Sequence, residues 1–408
     1  MPMRTTNTAK CLLALMTLLA SGIANAPPAD SPEAGRSLAA PYAQFGFDAL
    51  RDLSSEHPRD NVFISPTSIA VALAMVSNGA NGATREAILK TLHSNRQSID
   101  VFNADNRALV VQINKATAVQ LSMANALWAQ KVVPLNPSFI QTLGTAYSAQ
   151  AGNLDFRDPK SVETINAWVA KHTNDRIQEI LDRIDPSTVL VLTNAIAFKG
   201  KWSLPFDPKM TQPHDFKNAS GSLRKVPMMK HSGEYSYAKD SLLESIRLPY
   251  ADGMFAMYVV LPRDVEAMHR FLQQLTSDRF TFLVSSLGLR SGTIDLPRFT
   301  INYRTGLNAT LAKLGMGIAL KEGADFSGIH QPPPPMRISD IRHVSFLKVD
   351  EEGTEASAAT KIAVMPAMAM RKSEEPFHMV VDHPFFVVIR DERSGQILFT
   401  GVVTEPQS

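Results

Sequence analysis

The spacing of hydrophobic residues along this chain changes several times, and each change marks an element. Tyr42, Phe45, Leu50 and Leu53 recur near helical spacing, and residues 69–76 continue in that style behind Ser65-Pro66, where proline suits a first helical turn. Residues 164–181 predict another amphipathic helix, with Ile165, Val169, Ile177 and Leu181 set among Lys171, Asp175, Arg176 and Glu179. The runs 189–193, 255–261, 385–389 and 397–403 are short, β-branched or aromatic and bounded by Pro, Gly or Asp, so they predict strands. The first of these hardly alternates, which predicts burial on both faces. Arg390-Asp-Glu-Arg-Ser-Gly395 predicts a hairpin turn between the last two. The prolines at 332–335 read as a stiff surface connector. With no internal repeat and no linker, the expectation is one large α+β domain starting near Ser37, behind a flexible lead-in over 27–36.

Composition adds little until the N-terminus is considered. The 408 residues are 44% hydrophobic and 20% charged, and 41 basic and 39 acidic residues are interspersed to a net +2, which predicts neither a nucleic-acid nor a membrane partner. Residues 1–26 carry Arg4 and Lys10, then the apolar run Cys11-Leu-Leu-Ala-Leu-Met-Thr-Leu-Leu-Ala20, and end in Ala24-Asn25-Ala26. That is the pattern of a cleaved signal peptide, and the apolar run is shorter than the roughly 20 residues a membrane span needs. A secreted or periplasmic protein is therefore expected. Cys11, the single cysteine, would leave with the leader, and a thiol-free mature chain fits a bacterial envelope protein. The sequons at Asn218 and Asn308 are weak signals.

Catalytic motifs are missing. The chain has no G-x-S-x-G, H-E-x-x-H, C-x-x-C or P-loop, and no two of its ten histidines stand at i, i+4, so neither a metal nor a cofactor is expected. A serine triad assembled in space has no sequence feature to nominate it.

The most informative stretch runs from 349 to 372. Its composition suits an exposed Ala-rich helix capped by Thr354. At period two, however, Thr354, Ala356, Ala358, Thr360, Ile362 and Val364 share one face, all small or apolar, while Glu355, Ser357, Ala359, Lys361, Ala363 and Met365 share the other. Such a segment can enter a sheet as a strand with one face buried.

Glu351-Glu352-Gly353-Thr354-Glu355-Ala356-Ser357-Ala358-Ala359-Thr360 resembles the hinge of the inhibitory serpins. Further segments match that family in order and spacing: Asn61-Val-Phe-Ile-Ser-Pro-Thr-Ser68, Thr193-Asn-Ala-Ile-Ala-Phe-Lys-Gly-Lys-Trp202, Asp295-Leu-Pro-Arg-Phe299, Asp325-Phe-Ser-Gly328, His343, Asp382-His-Pro-Phe-Phe386 and Gly401-Val-Val403. Together they cover nearly all of 37–406.

The resemblance implies a serpin domain over 37–408 with about three β-sheets, eight or nine helices and an exposed reactive loop at about 351–372. It implies a monomeric inhibitor that traps a serine protease as a covalent acyl-enzyme. The cleaved hinge would insert into the central sheet as a new antiparallel strand, with Gly353 permitting the turn and Thr354 entering first. By position, Trp202, Asn194 and His343 would stand near the upper end of the sheet where insertion begins. Asn61, Ser65, Pro66 and Ser68 would lie beneath it, although plain core packing explains each residue equally well taken singly. Counting along the loop as the family does puts the scissile bond between Ala367 and Met368, with Met368, Met370 and Arg371 as alternatives. Met365-Pro366-Ala367 suits elastase-like or subtilisin-like proteases, whereas Arg371 would suit trypsin-like ones. Residues 85–115 lack the basic stripe a polyanionic cofactor would need. A serpin-shaped binding protein, a plain protease substrate and an unseen hydrolase are the alternatives.

Overall fold

The computed structural model describes residues 35–94, 98–115, 119–251, 253–330, 336–354 and 375–407. Its helices are α1 (Ala39–Glu56), α2 (Pro66–Ser77), α3 (Gly82–Thr91), α4 (Ile99–Asn114), α5 (Pro137–Tyr147), α6 (Lys160–His172), α7 (Val265–Gln274), α8 (Ser277–Ser286) and α9 (Asn308–Leu311). The strands begin with β1 (Val62–Ile64), β2 (Val119–Gln130), β3 (Gln150–Leu154), β4 (Leu190–Lys201), β5 (Gln212–Lys217) and β6 (Leu223–Lys239). They continue with β7 (Leu243–Tyr250), β8 (Phe255–Pro262), β9 (Gly288–Pro297), β10 (Phe299–Gly306), β11 (Ile338–Val349), β12 (Gly353–Thr354), β13 (Phe377–Val380), β14 (Phe385–Asp391) and β15 (Ile397–Val403).

These strands form two hydrogen-bonded sheets where about three were expected. The larger contains two limbs, β1-β15-β14-β8-β7-β6 and β5-β6-β9-β13, because the long β6 pairs with β5 along its first part, with β9 from Met228 to Tyr237 and with β7 at its end. The smaller, central sheet runs β10-β11-β12-β4-β2-β3. Within it β4 and β11 are parallel neighbours from Leu190/Ile338 to Ala197/Phe346, while β2 and β10 flank them antiparallel.

Most of the core lies between the two sheets, with α1 and α2 built into it. α2 is buried along its whole length, starts with Pro66 at its first turn, and is capped by Ser65 Oγ accepting from Ser68 N. Its close approach to α1 needs Gly46, since a Cβ there would stand 2.2 Å from the Pro66 ring. A second, smaller core sits on the opposite face of the central sheet, where Ile165 and Val169 of α6 cover Ala124, Ala126, Ala195, Ala197 and Val344. The helix expected over 164–181 ends at His172, because Asn174 and Asp175 adopt left-handed backbone (φ 52° and 59°), which Asn and Asp tolerate better than most residues. Ile177, Ile180 and Leu181 still bury in the same small core. β14 and β15 form the expected hairpin.

Candidate functional site

The hinge enters the central sheet at the top of the β4–β11 seam. β11 ends at Val349, the chain turns over 350–352, and Gly353-Thr354 comes back antiparallel to both neighbours, with Thr354 opposite Val349 on one side and Gly200 on the other. Gly353 has φ 154°, and a Cβ there would stand 2.1 Å from the Gly200 carbonyl oxygen. Only glycine fits so close to a strand backbone.

Each residue of this turn has partners. The indole N–H of Trp202 donates to the Asp350 carbonyl (2.9 Å), and its backbone N–H donates to the Glu352 carbonyl (3.0 Å). Phe206 N–H holds the Glu351 carbonyl at 2.8 Å. The Glu351 carboxylate is 7% exposed, accepts from the Thr211 hydroxyl (2.6 Å) and forms an ion pair with Arg298. Burial alone would raise its pKa, but the Arg298 and Thr211 hydrogen bonds outweigh that and hold it below the usual carboxylate range. Thr354 is fully buried, and its hydroxyl meets Tyr250 Oη at 2.8 Å. Tyr250 in turn stacks on Trp202, with centroids 4.5 Å apart. Threonine suits this position because it is small and its single polar group is satisfied.

Further down the same seam, a buried polar cluster ties β4 and β11 to α2. His343 and Asn194 face each other across the parallel pair. Ser65 N–H donates to His343 Nε2 (3.2 Å), so Nδ1 carries the proton toward Asn194 Oδ1 at 2.6 Å. The Asn194 amide donates to the Ser68 hydroxyl (2.6 Å) and to Asn125 of β2. Full burial lowers the His343 pKa to about 3, which keeps the ring neutral and able to accept.

The structure thus divides the expected residues differently from the sequence. Asn194 and His343 belong with Ser65, Pro66 and Ser68 at mid-sheet, and Trp202 alone of the first group stands at the hinge. Asn61 joins neither; its side chain pins the C-terminal segment, accepting from Thr404 N–H (2.7 Å) and Glu405 N–H (3.0 Å) and donating to the Glu405 carbonyl (2.8 Å). Hinge residues Glu355, Ala356, Ser357, Ala358, Ala359 and Thr360, the expected bond Ala367–Met368 and the leader 1–26 lie outside the described residues. Four participating side chains were not anticipated, Asn125, Thr211, Tyr250 and Arg298, nor was the backbone N–H of Phe206. Asn125, a lone polar residue in the small-residue strand Met123-Ala-Asn-Ala126, could have been noticed; the others carry no local signal. The two sequons have structural uses. Asn218 is buried and accepts from Ser220 and Ser222 backbone N–H, and Asn308 bonds Ser339 and Ile341.

The model of the family described as serpin (serine protease inhibitor) matches residues 40–406. Leukocyte elastase inhibitor of Bos taurus is 36% identical over 382 residues, covering 90% of this chain and 99% of its own. A serpin-like protein of Methanosarcina mazei is 32% identical, covering 91% and 88%. The structure of human thyroxine-binding globulin with thyroxine superposes with a TM-score of 0.83 at 26% identity, covering 92% of this chain and all of that one. These relatives do not bear out the expected bacterial source. A family match across nearly the whole folded chain joins a sheet that already receives its hinge: this chain belongs to the serpin family.

Proposed function

We propose that this chain is an irreversible suicide-substrate inhibitor of serine proteases. The observation that carries the proposal is the seating of Gly353-Thr354 as the first rung of an antiparallel strand between β4 and β11. A protease serine attacks the Ala367 carbonyl; the C–N bond to Met368 breaks, the Met368 amine leaves with a proton, and Ala367 remains as an ester on the protease. The freed hinge then continues inward. Because Thr354 is buried, period two carries Ala356, Ala358, Thr360 and Ile362 toward the same face. One parallel ladder is replaced by two antiparallel ones, and the attached protease is displaced before water can complete hydrolysis.

Elastase-like or subtilisin-like enzymes are the proposed targets, from Met365-Pro366-Ala367 and from the similarity to a protein named leukocyte elastase inhibitor. The signal-peptide pattern over 1–26 supports action outside the cytoplasm. The likeness to thyroxine-binding globulin favours one second reading, a serpin-fold carrier of a small ligand. Incubation with elastase, subtilisin and trypsin, followed by denaturing electrophoresis and mass spectrometry of the released peptide, separates them. The inhibitor gives a denaturant-stable covalent band and a peptide starting at Met368. Loop cleavage without a band would leave a carrier or a substrate.

A further inference from the structure

A groove of about 830 Å3 lies between the end of the β5–β6 hairpin, the start of α7 and the connector from β13 to β14. Lys217 and Leu223 are the last pair of the β5–β6 ladder, so their side chains stand together on one face of the ribbon. Leu223 is 64% exposed, and Val265, the first residue of α7, is 60% exposed; both line the groove. A single exposed apolar side chain is ordinary at a protein surface. Two that share one concave site with an ammonium make an amphipathic surface.

The charges in the groove decide the sign of its ligand. Asp382 bonds His383 Nδ1 (2.7 Å), and His383 Nε2 meets the Pro262 carbonyl (2.8 Å). Burial opposes protonation of that ring, but these two acceptors outweigh it and raise its pKa, and the Asp382 carboxylate has a hydrogen-bond partner in the ring. Asp215 is paired with Lys225 (3.0 Å), and Glu266 faces Arg270 (3.7 Å). Asp264 caps α7 through Ala267 N–H (2.7 Å) and is reached by Arg263 (3.3 Å). The Lys217 ammonium has no hydrogen-bond or ion-pair partner among the described residues. Among the described residues, Lys217 is thus the charged side chain of the lining that is left without a partner.

We propose that this groove binds a small amphipathic carboxylate, with its hydrocarbon body on Leu223 and Val265 and its carboxylate paired with Lys217. The volume falls in the usual range for small-molecule sites, and a few polar groups beside apolar walls are their usual lining. This inference does not depend on protease inhibition. Isothermal titration of the intact chain with sodium octanoate should give saturable one-site binding, about tenfold or more tighter than binding of neutral 1-octanol. Lys217→Glu and Leu223→Asp should each weaken octanoate by about tenfold or more, while Lys160→Glu, exposed at the start of α6 and outside the groove, should leave it within about twofold. Circular dichroism melts identify any variant that fails to fold, and Lys217→Gln then replaces Lys217→Glu. Absence of saturable binding to the native chain, equal binding of octanol, or undiminished binding to a folded Lys217 variant would overturn the proposal.

Discussion

The β4–β11 seam is held in two unlike ways along its length. At the top it is already parted: the hinge is between the strands, and Trp202, Tyr250, Glu351 and Arg298 hold the turn that brings it there. At mid-sheet it is shut, by parallel pairing and by the hydrogen bonds among His343, Asn194, Ser65 and Ser68. The upper region is polar and partly open to solvent, with Arg298 39% exposed, whereas the lower cluster is fully enclosed. An opening device is thus seated directly above a closing one. Insertion needs the first to persist and the second to yield, together with the α6 cover whose Ile165 and Val169 span the same strands.

The largest effect should come from blocking the parted end. Arginine in place of Thr354 would put an unpaired charge where a buried hydroxyl now meets Tyr250, at a cost of several kcal/mol. Thr354→Arg should abolish the covalent band and leave a cleaved substrate, while the mid-sheet cluster keeps the fold intact; titrating active protease against the variant measures this. An undiminished yield of complex would break the distinction between the two regions.

Next in size is acid sensitivity of the shut end. His343 has a pKa near 3 in the fold against about 6.5 when unfolded, so the unfolded chain takes up the proton first. The stability this group provides is complete above pH 6.5 and declines as pH falls toward 3, by up to about 1.4 kcal/mol per pH unit. Denaturant midpoints measured from about pH 7.5 down to pH 5 should fall in the native chain and fall less steeply in His343→Gln. Equal slopes would contradict the role given to the neutral ring.

A smaller effect is expected at the turn. Glu351→Gln keeps a hydrogen-bond acceptor for Thr211 but loses the charge facing Arg298. Because that arginine is exposed enough for solvent screening, the expected loss is about 1 kcal/mol and should shrink in high salt. Denaturant titration at low and high ionic strength would sharpen the contrast, since the enclosed cluster should show no such salt dependence.

Much of this was legible along the chain, for physical reasons that differ from place to place. Phe255 to Leu261 and Ile397 to Val403 are strand-like throughout because both faces are buried, so no alternation was needed to recognise them. The start of α2 was legible from Pro66, whose ring suits a first helical turn, while the Ser65 cap emerged only in the fold. The end of α6 was missed because Ile177 and Leu181 keep helical spacing while the backbone at Asn174 and Asp175 does not. At the site, Gly353 and Thr354 were legible because backbone room and side-chain size are local properties. The separation of Trp202 from Asn194 was not, since eight residues of β4 carry the one from the hinge to the other's place beside Ser68. Tyr250, Thr211 and Arg298 reach the hinge from β7, the β4–β5 connection and the β9–β10 junction, and such convergence depends on sheet order.

The most direct test of strand insertion is the thermal denaturation of the chain before and after a single cut in the loop, on otherwise identical samples. Two antiparallel ladders in place of one parallel pairing predict a cleaved form whose midpoint is higher by roughly 20 °C or more. A cleaved form that melts with the intact protein, or below it, would mean that the hinge stops at Thr354 and that the loop does not enter the sheet.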